Sequence, residues 1–158
     1  MRHAESDHPP HIQSDYDRPL TERGMGDTAR AGDVLRERNS IPQWIFASSA
    51  RRAHQTATGL VDHLELSPLV LQLDSALYLA SPASLLQRIE ETPEEIDTVL
   101  IIAHNPGMEE LIYRLSGVRV TLPPAGLATL HIEETSWLAV STAKSRLAHF
   151  FIPNDNTL

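Results

Sequence analysis

With 158 residues, 41% of them apolar and 22% charged, the chain is long enough to bury the two-sided core of one α/β domain and too short for two comfortable ones. A net charge of −8 argues against a broad nucleic-acid-binding face, and the absence of cysteine excludes disulfides, thiolate zinc sites and cysteine nucleophiles. No run approaches the roughly 18 apolar residues of a membrane span, and the first residues lack the apolar core of a signal peptide, so a cytoplasmic location away from membranes is expected.

In chain order, apolar runs alternate with segments of helical period, the pattern of an α/β domain. A first helix is predicted from the N-cap Thr21 to about Asn39, with Met25, Ala29, Gly32 and Leu35 inward. Trp44-Ile45-Phe46-Ala47 reads as a buried strand. A helix opening at Ser48-Ser49 follows, turning Ala53, Ala57, Leu60, Val61 and Leu64 inward. Leu69 to Leu73 is a second strand, and Pro82 to Ile89 a helix with proline in its first turn. Thr98 to Ala103 is continuously apolar and β-branched, as a strand covered on both faces should be, and is placed at the sheet centre. His104-Asn105-Pro106-Gly107 breaks it, a helix through Leu111, Ile112 and Leu115 stops at Gly117, and two further strands are read at Ala128 to Ile132 and Leu147 to Ile152. Residues 1–153 are expected to form one domain, with 154–158 a frayed tail.

Open α/β sheets bind ligands beyond the carboxyl ends of their strands. There the chain places basic residues from four segments: Arg2 and His3, Arg18, Arg52, and His104. Lys144 is the sole lysine, so the other twelve basic side chains are arginines, which suit bidentate contact with phosphate. His8, His11, His54, His63, His131 and His149 show no spacing that pairs ligands with a carboxylate, so neither a metal nor another cofactor is expected. Arg23 and Arg51 read as surface residues and the acidic run Glu90 to Glu95 as a solvated helix end.

Taken in order, Arg2-His3-Ala4-Glu5-Ser6, Asp17-Arg18-Pro19-Leu20-Thr21, Ser48 to Ala57 and His104-Asn105-Pro106-Gly107 resemble the histidine phosphatase superfamily. The resemblance is nearest to the compact phosphohistidine phosphatases of the SixA type, without the helical insertions of the larger phosphoglycerate mutases. It implies a phosphoglycerate mutase-like fold: a three-layer sandwich with a mostly parallel central sheet flanked by helices. It also implies a metal-independent phosphatase with His3 as nucleophile, Arg2, Arg18 and Arg52 holding phosphoryl oxygens, and His104 hydrogen-bonded to the phosphoryl group. A neutral imidazole is a competent nucleophile near neutral pH, and positioned positive charge is the main demand of phosphoryl transfer.

The sequence departs from the family at two places. Larger relatives carry an acid where this chain reads Leu73-Asp74-Ser75-Ala76-Leu77-Tyr78, which makes Asp74 the candidate general acid. A weak acid position favours phosphohistidine, whose imidazole can leave already protonated, over sugar-phosphate esters. Only Met1 stands where the family has an apolar strand before Arg-His. The expectation is a truncated or absent first strand, explained by a start assigned too far downstream, with the Met1 amino group beside the phosphate pocket. The expected partner is a phosphorylated substrate, in the leading reading a histidine-phosphorylated protein, with no nucleic acid and no membrane. A small-molecule phosphomonoesterase and a non-catalytic phosphoryl-binding regulatory domain stand as alternatives; a mutase, which must shelter its phosphoenzyme from water, fits a lidless chain less well.

Overall fold

The computed structural model describes residues 1–153; the expected frayed tail, 154–158, lies outside them. Four α-helices and five strands follow in the order α1 (Glu22–Glu37), β1 (Trp44–Ser48), α2 (Arg51–His63), β2 (Leu71–Asp74), α3 (Pro82–Glu90), β3 (Val99–Ile102), α4 (Gly107–Ser116), β4 (Leu127–Glu133) and β5 (Lys144–Phe151). Strands β2, β1 and β3 form a parallel sheet in that spatial order, and β4 and β5 form an antiparallel hairpin.

The strands alternate between two cores because successive residues point to opposite faces. Ile45, Ala47, Leu100 and Ile102 meet Ala31, Leu35, Ala53, Ala57 and Leu60 from α1 and α2. Phe46, Ile101 and Ala103 meet Leu85, Leu86, Ile89, Met108, Leu111 and Ile112 from α3 and α4. Helices therefore cover both faces of the sheet, the three-layer α/β arrangement expected from the sequence. Each fully buried Leu or Ile contributes about 1.5–3 kcal/mol of apolar transfer.

The shortened first strand keeps its place. The Met1 amino group donates to the Ile101 carbonyl at 2.9 Å, the Ala103 amide to the Met1 carbonyl at 3.3 Å and the His3 amide to the Ala103 carbonyl at 3.0 Å. On the other side, the Arg2 amide donates to the Gly126 carbonyl and the Ala125 amide to the His3 carbonyl, both at 3.1 Å. Residues 1–3 thus run parallel to β3 and link it to the segment that enters β4. The Met1 amino group does not lie beside the pocket expected to take phosphate: it is buried against Ile101, and desolvation lowers its pKa to about 5. A cavity of about 640 Å³, lined by Met1, Leu100, Ile101, Ala128 and Leu130 among others, continues between β3 and β4 on the side of Met1 away from His3.

Several element boundaries differ from the sequence reading, for physical reasons. In α1, Met25 is 54% exposed, and the inward face is Gly24, Thr28, Ala31 and Leu35. A Cβ at Gly24 would stand 2.2 Å from the Glu5 carbonyl oxygen, so only glycine lets α1 approach the chain there. Thr28 tolerates burial because its hydroxyl donates to the Gly24 carbonyl at 2.8 Å. Leu69 belongs to a one-turn helix, Pro68–Val70, and is exposed; β2 starts at Leu71. Ser48 closes β1 rather than opening α2, which begins at Arg51. β1 is the middle of the three parallel strands, and β3 lies between it and residues 1–3. The β4–β5 hairpin carries a bulge after Thr129: Thr129 faces His149 and Leu130 faces Leu147, leaving Ala148 unpaired.

Candidate active site

Three local structures deliver the site. Residues 1–3 end beside the carboxyl end of β3, so His3 emerges where the chain leaves the sheet. α2 starts three residues after β1 and brings Arg52 in its first turn. His104 follows β3 after one intervening residue, just before the cis Asn105–Pro106 bond and the start of α4. His3, Arg52 and His104 are all buried.

The two imidazole rings lie 5.0 Å apart between centroids, tilted by 52°. His3 Nδ1 is 2.8 Å from the Ala4 carbonyl oxygen, which can only accept; Nδ1 therefore carries the proton and Nε2 the lone pair. That lone pair accepts from Arg52 Nε at 3.2 Å. The other end of the guanidinium lies 3.3 Å from His104 Nδ1, and His104 Nε2 is 2.8 Å from the Ser48 hydroxyl. Arginine only donates, so His104 Nδ1 accepts and its Nε2–H points to Ser48. The guanidinium thus sets the His104 tautomer and matches the one that Ala4 sets for His3.

Burial disfavours the charged imidazolium. It lowers the His3 pKa to about 3, with His104, Arg52 and Arg2 adding repulsion, and the His104 pKa to about 4, with Arg52 the next cause. Both rings are therefore neutral across the physiological range.

Thr56 joins the segment of His3 to α2. Its hydroxyl donates to the Arg52 carbonyl at 2.7 Å and accepts from the Ala4 amide at 3.0 Å. Gly107 lets α4 meet the loop after Tyr78, since a Cβ there would lie 2.1 Å from the Ala80 carbonyl oxygen.

The other residues singled out in the sequence fall in different places. Arg2 donates through Nη1 to the Leu122 carbonyl at 3.1 Å, and its Nε is buried with no protein partner among the described residues. Its charge reaches both histidines. Arg18 donates to the Asp15 carboxylate at 3.1 Å and to the Asp7 and Ser6 carbonyls, and so meets the site through Asp15, which also accepts from Arg52. Asp74 pairs with Arg88 and caps the Ala76 amide at 2.8 Å, contacts that hold its carboxyl below the usual range. Among the described residues, no group of three His, Asp or Glu side chains is arranged to hold a metal ion. No helix of the described residues is long and apolar enough to cross a membrane.

Sequence reasoning missed the groups at the mouth. Asp15, on a one-turn helix Asp15–Asp17, accepts from Arg52 at 3.0 Å, from the Tyr78 hydroxyl at 2.7 Å and from Arg18. Its backbone carbonyl also accepts from Arg52 Nη1 at 2.6 Å. These donors, the Tyr78 hydroxyl first, hold its carboxyl well below the usual carboxylate range. Tyr78 stands edge-on to His104 at 5.4 Å and to Tyr16 at 5.0 Å, and the Tyr16 hydroxyl meets Ser49. The spacing of Asp15 three residues before Arg18 was the one local signal available.

Residues 1–77 match the family described as the histidine phosphatase superfamily (branch 1). That match spans 77 of the 158 residues. It is 28% identical over 166 residues to an uncharacterized protein of Mycobacterium leprae, a match that spans 97% of this chain and 99% of the other. Among solved structures, one from Nakamurella multipartitia, assigned as the phosphohistidine phosphatase SixA, superposes with a TM-score of 0.85. It is 23% identical, with 98% of this chain and 94% of that one covered. The protein histidine phosphatase SixA complexed with tungstate gives a TM-score of 0.81 at 20% identity, covering 97% of this chain and 94% of that one. At these identities the structural likeness establishes the shared SixA-like, phosphoglycerate mutase-like fold.

Proposed function

We propose that this histidine phosphatase superfamily relative is a metal-independent phosphatase that works through a phosphohistidine on His3 and removes phosphoryl groups from histidine on a protein. The proposal takes residues 1–153 as one domain. The observation that carries it is the His3 tautomer: the Nδ1–H bond to Ala4 leaves the Nε2 lone pair in the same pocket as Arg52 and His104.

In the first step the His3 Nε2 lone pair forms a bond to phosphorus and the bond to the leaving group breaks. Arg52 exchanges its contact with Nε2 for the phosphoryl oxygens, and Arg2 offers the Nε that has no protein partner. The dianionic phosphoryl group raises the proton affinity of His104, so that this ring can donate to it. Water then displaces the phosphoryl group from His3, which leaves as dihydrogen phosphate and returns Nε2 to its neutral state.

The leaving group is where the substrate class is felt. A departing alkoxide needs a proton, and the two carboxylates that could be expected to give one are poorly suited: Asp74 is paired with Arg88, and Asp15 is held ionised. A phosphohistidine protonated on its distal nitrogen needs none, because the electron pair of the broken P–N bond yields a neutral imidazole. Support for a protein substrate comes from the position of Tyr78 and Asp15 at a mouth open to solvent.

The test incubates the protein with a histidine-phosphorylated phosphotransfer protein and with aryl and sugar phosphates, and traps the phosphoenzyme in alkali, where phosphohistidine survives. Release of phosphate from phosphohistidine and an alkali-stable label, both lost in His3→Ala, are expected. Turnover that survives His3→Ala would sink the assignment of the nucleophile.

A further inference from the structure

The loop between residues 7 and 19 leaves and returns at one point, where Ser6 bridges Leu20 and the Asp7 amide donates to the Pro19 carbonyl at 2.9 Å. Its far end carries an anion into the site. Asp15 takes donors from both terminal nitrogens of Arg52, one through its carboxylate and one through its carbonyl. Those are the donors a phosphoryl group needs, so the carboxylate and the phosphoryl oxygens compete for one guanidinium. Arg18 and Tyr78 give the carboxylate two anchors that do not depend on Arg52. It can therefore yield Arg52 without leaving the mouth.

Position gives that carboxylate a direction. Arg52 meets His3 through Nε and Asp15 through its terminal nitrogens, so the guanidinium separates nucleophile from carboxylate. His3 is buried, whereas the Asp15 side chain is 45% exposed. In-line displacement places the leaving atom across phosphorus from His3, toward this exposed side. From these contacts we propose that Asp15 is a specificity-determining residue: displaced from Arg52 by the phosphoryl group, its carboxylate accepts the distal N–H of a protonated imidazole leaving group and so selects phosphohistidine over phosphate esters.

The step balances. As His3 Nε2 bonds to phosphorus, the P–N electron pair returns to the departing nitrogen, and the distal proton stays on the imidazole, hydrogen-bonded to Asp15. Asp15 neither gains nor loses a proton. An ester presents no N–H to this carboxylate and still has to displace it from Arg52, so the same residue hinders esters. This inference rests on the proposed phosphohistidine phosphatase reading.

The experiment compares kcat/KM for a phosphohistidine peptide and for p-nitrophenyl phosphate in wild type, Asp15→Asn and Asp15→Glu, with circular dichroism to check folding. The isosteric Asp15→Asn keeps an oxygen for Tyr78 or Arg18 but loses the charge. It should lower kcat/KM for phosphohistidine about ten- to a hundredfold, the worth of one charge-assisted hydrogen bond, and raise that for p-nitrophenyl phosphate. Asp15→Glu, which keeps the charge, should retain part of the preference. Orthovanadate, an anion that must displace the carboxylate from Arg52 and offers it no N–H, should inhibit Asp15→Asn more tightly than wild type. A selectivity ratio that falls by less than about tenfold in Asp15→Asn, with both substrates slowed alike, overturns the role of Asp15. Wild-type protein inert on phosphohistidine yet active on the ester would instead overturn the substrate reading beneath it.

Discussion

Removing one imidazole should change how the stability of the protein depends on pH. His3 titrates near pH 6.5 in an unfolded chain and near 3 in the folded one, because burial disfavours its cation. Between those values the unfolded state binds the extra proton, so acid favours unfolding. The stability from the neutral ring is fully present above about pH 6.5 and is lost as the pH falls toward 3. Taking these two pKa values, lowering the pH from 7 to 5 costs the folded state about 2 kcal/mol through His3 alone. His3→Gln has no such proton to bind. Urea denaturation of wild type and His3→Gln at pH 7 and pH 5 measures the difference: wild type should lose about 2 kcal/mol more than the variant. Equal losses would refute the buried neutral imidazole, and with it the lone pair assigned to Nε2.

Two further substitutions probe how the site is held. Thr56→Val keeps the shape of the side chain but leaves the Ala4 amide without its acceptor; a loss of about 1–3 kcal/mol by denaturation is expected, with a larger fractional loss of the proposed phosphatase turnover because the segment of His3 is freed from α2. Gly107→Ala drives a methyl group into the Ala80 carbonyl, so the loop carrying Tyr78 must shift. The expected cost is about 1–3 kcal/mol of stability, read by thermal or urea unfolding, together with a raised KM.

Legibility in the sequence followed the kind of force involved. Trp44 to Ala47 and Thr98 to Ala103 stand out because strands covered on both faces must be continuously apolar, and β1 and β3 occupy those runs. Leu69 misled because an apolar residue need not be buried, and Met25 because α1 approaches its neighbours through Gly24 and Thr28, where close backbone contact and a satisfied hydroxyl replace apolar side chains. At the site, His3, Arg52 and His104 were foreseeable from motifs at strand ends, and the structure brings them together. Arg18 and Asp74 sit in equally recognisable stretches, yet their directions depend on partners, Asp15 and Arg88, that the motifs do not specify. The contact of Asp15 with Tyr78 joins residues 63 positions apart and has no local signature.

The bulge in the hairpin bears on whether an edge strand can be extended by another chain. Among the described residues β5 is bonded on one side only, by β4, which leaves its other rim of amides and carbonyls as a template for a foreign strand. Ala148, standing out of register, interrupts that template midway, and Lys144, Arg146 and His149 set polar or charged side chains along the same stretch. A ladder continued by another chain would have to follow a kinked, charged border. Irregularity at this margin thus discourages strand addition, while the regular strands within carry the candidate site at their ends.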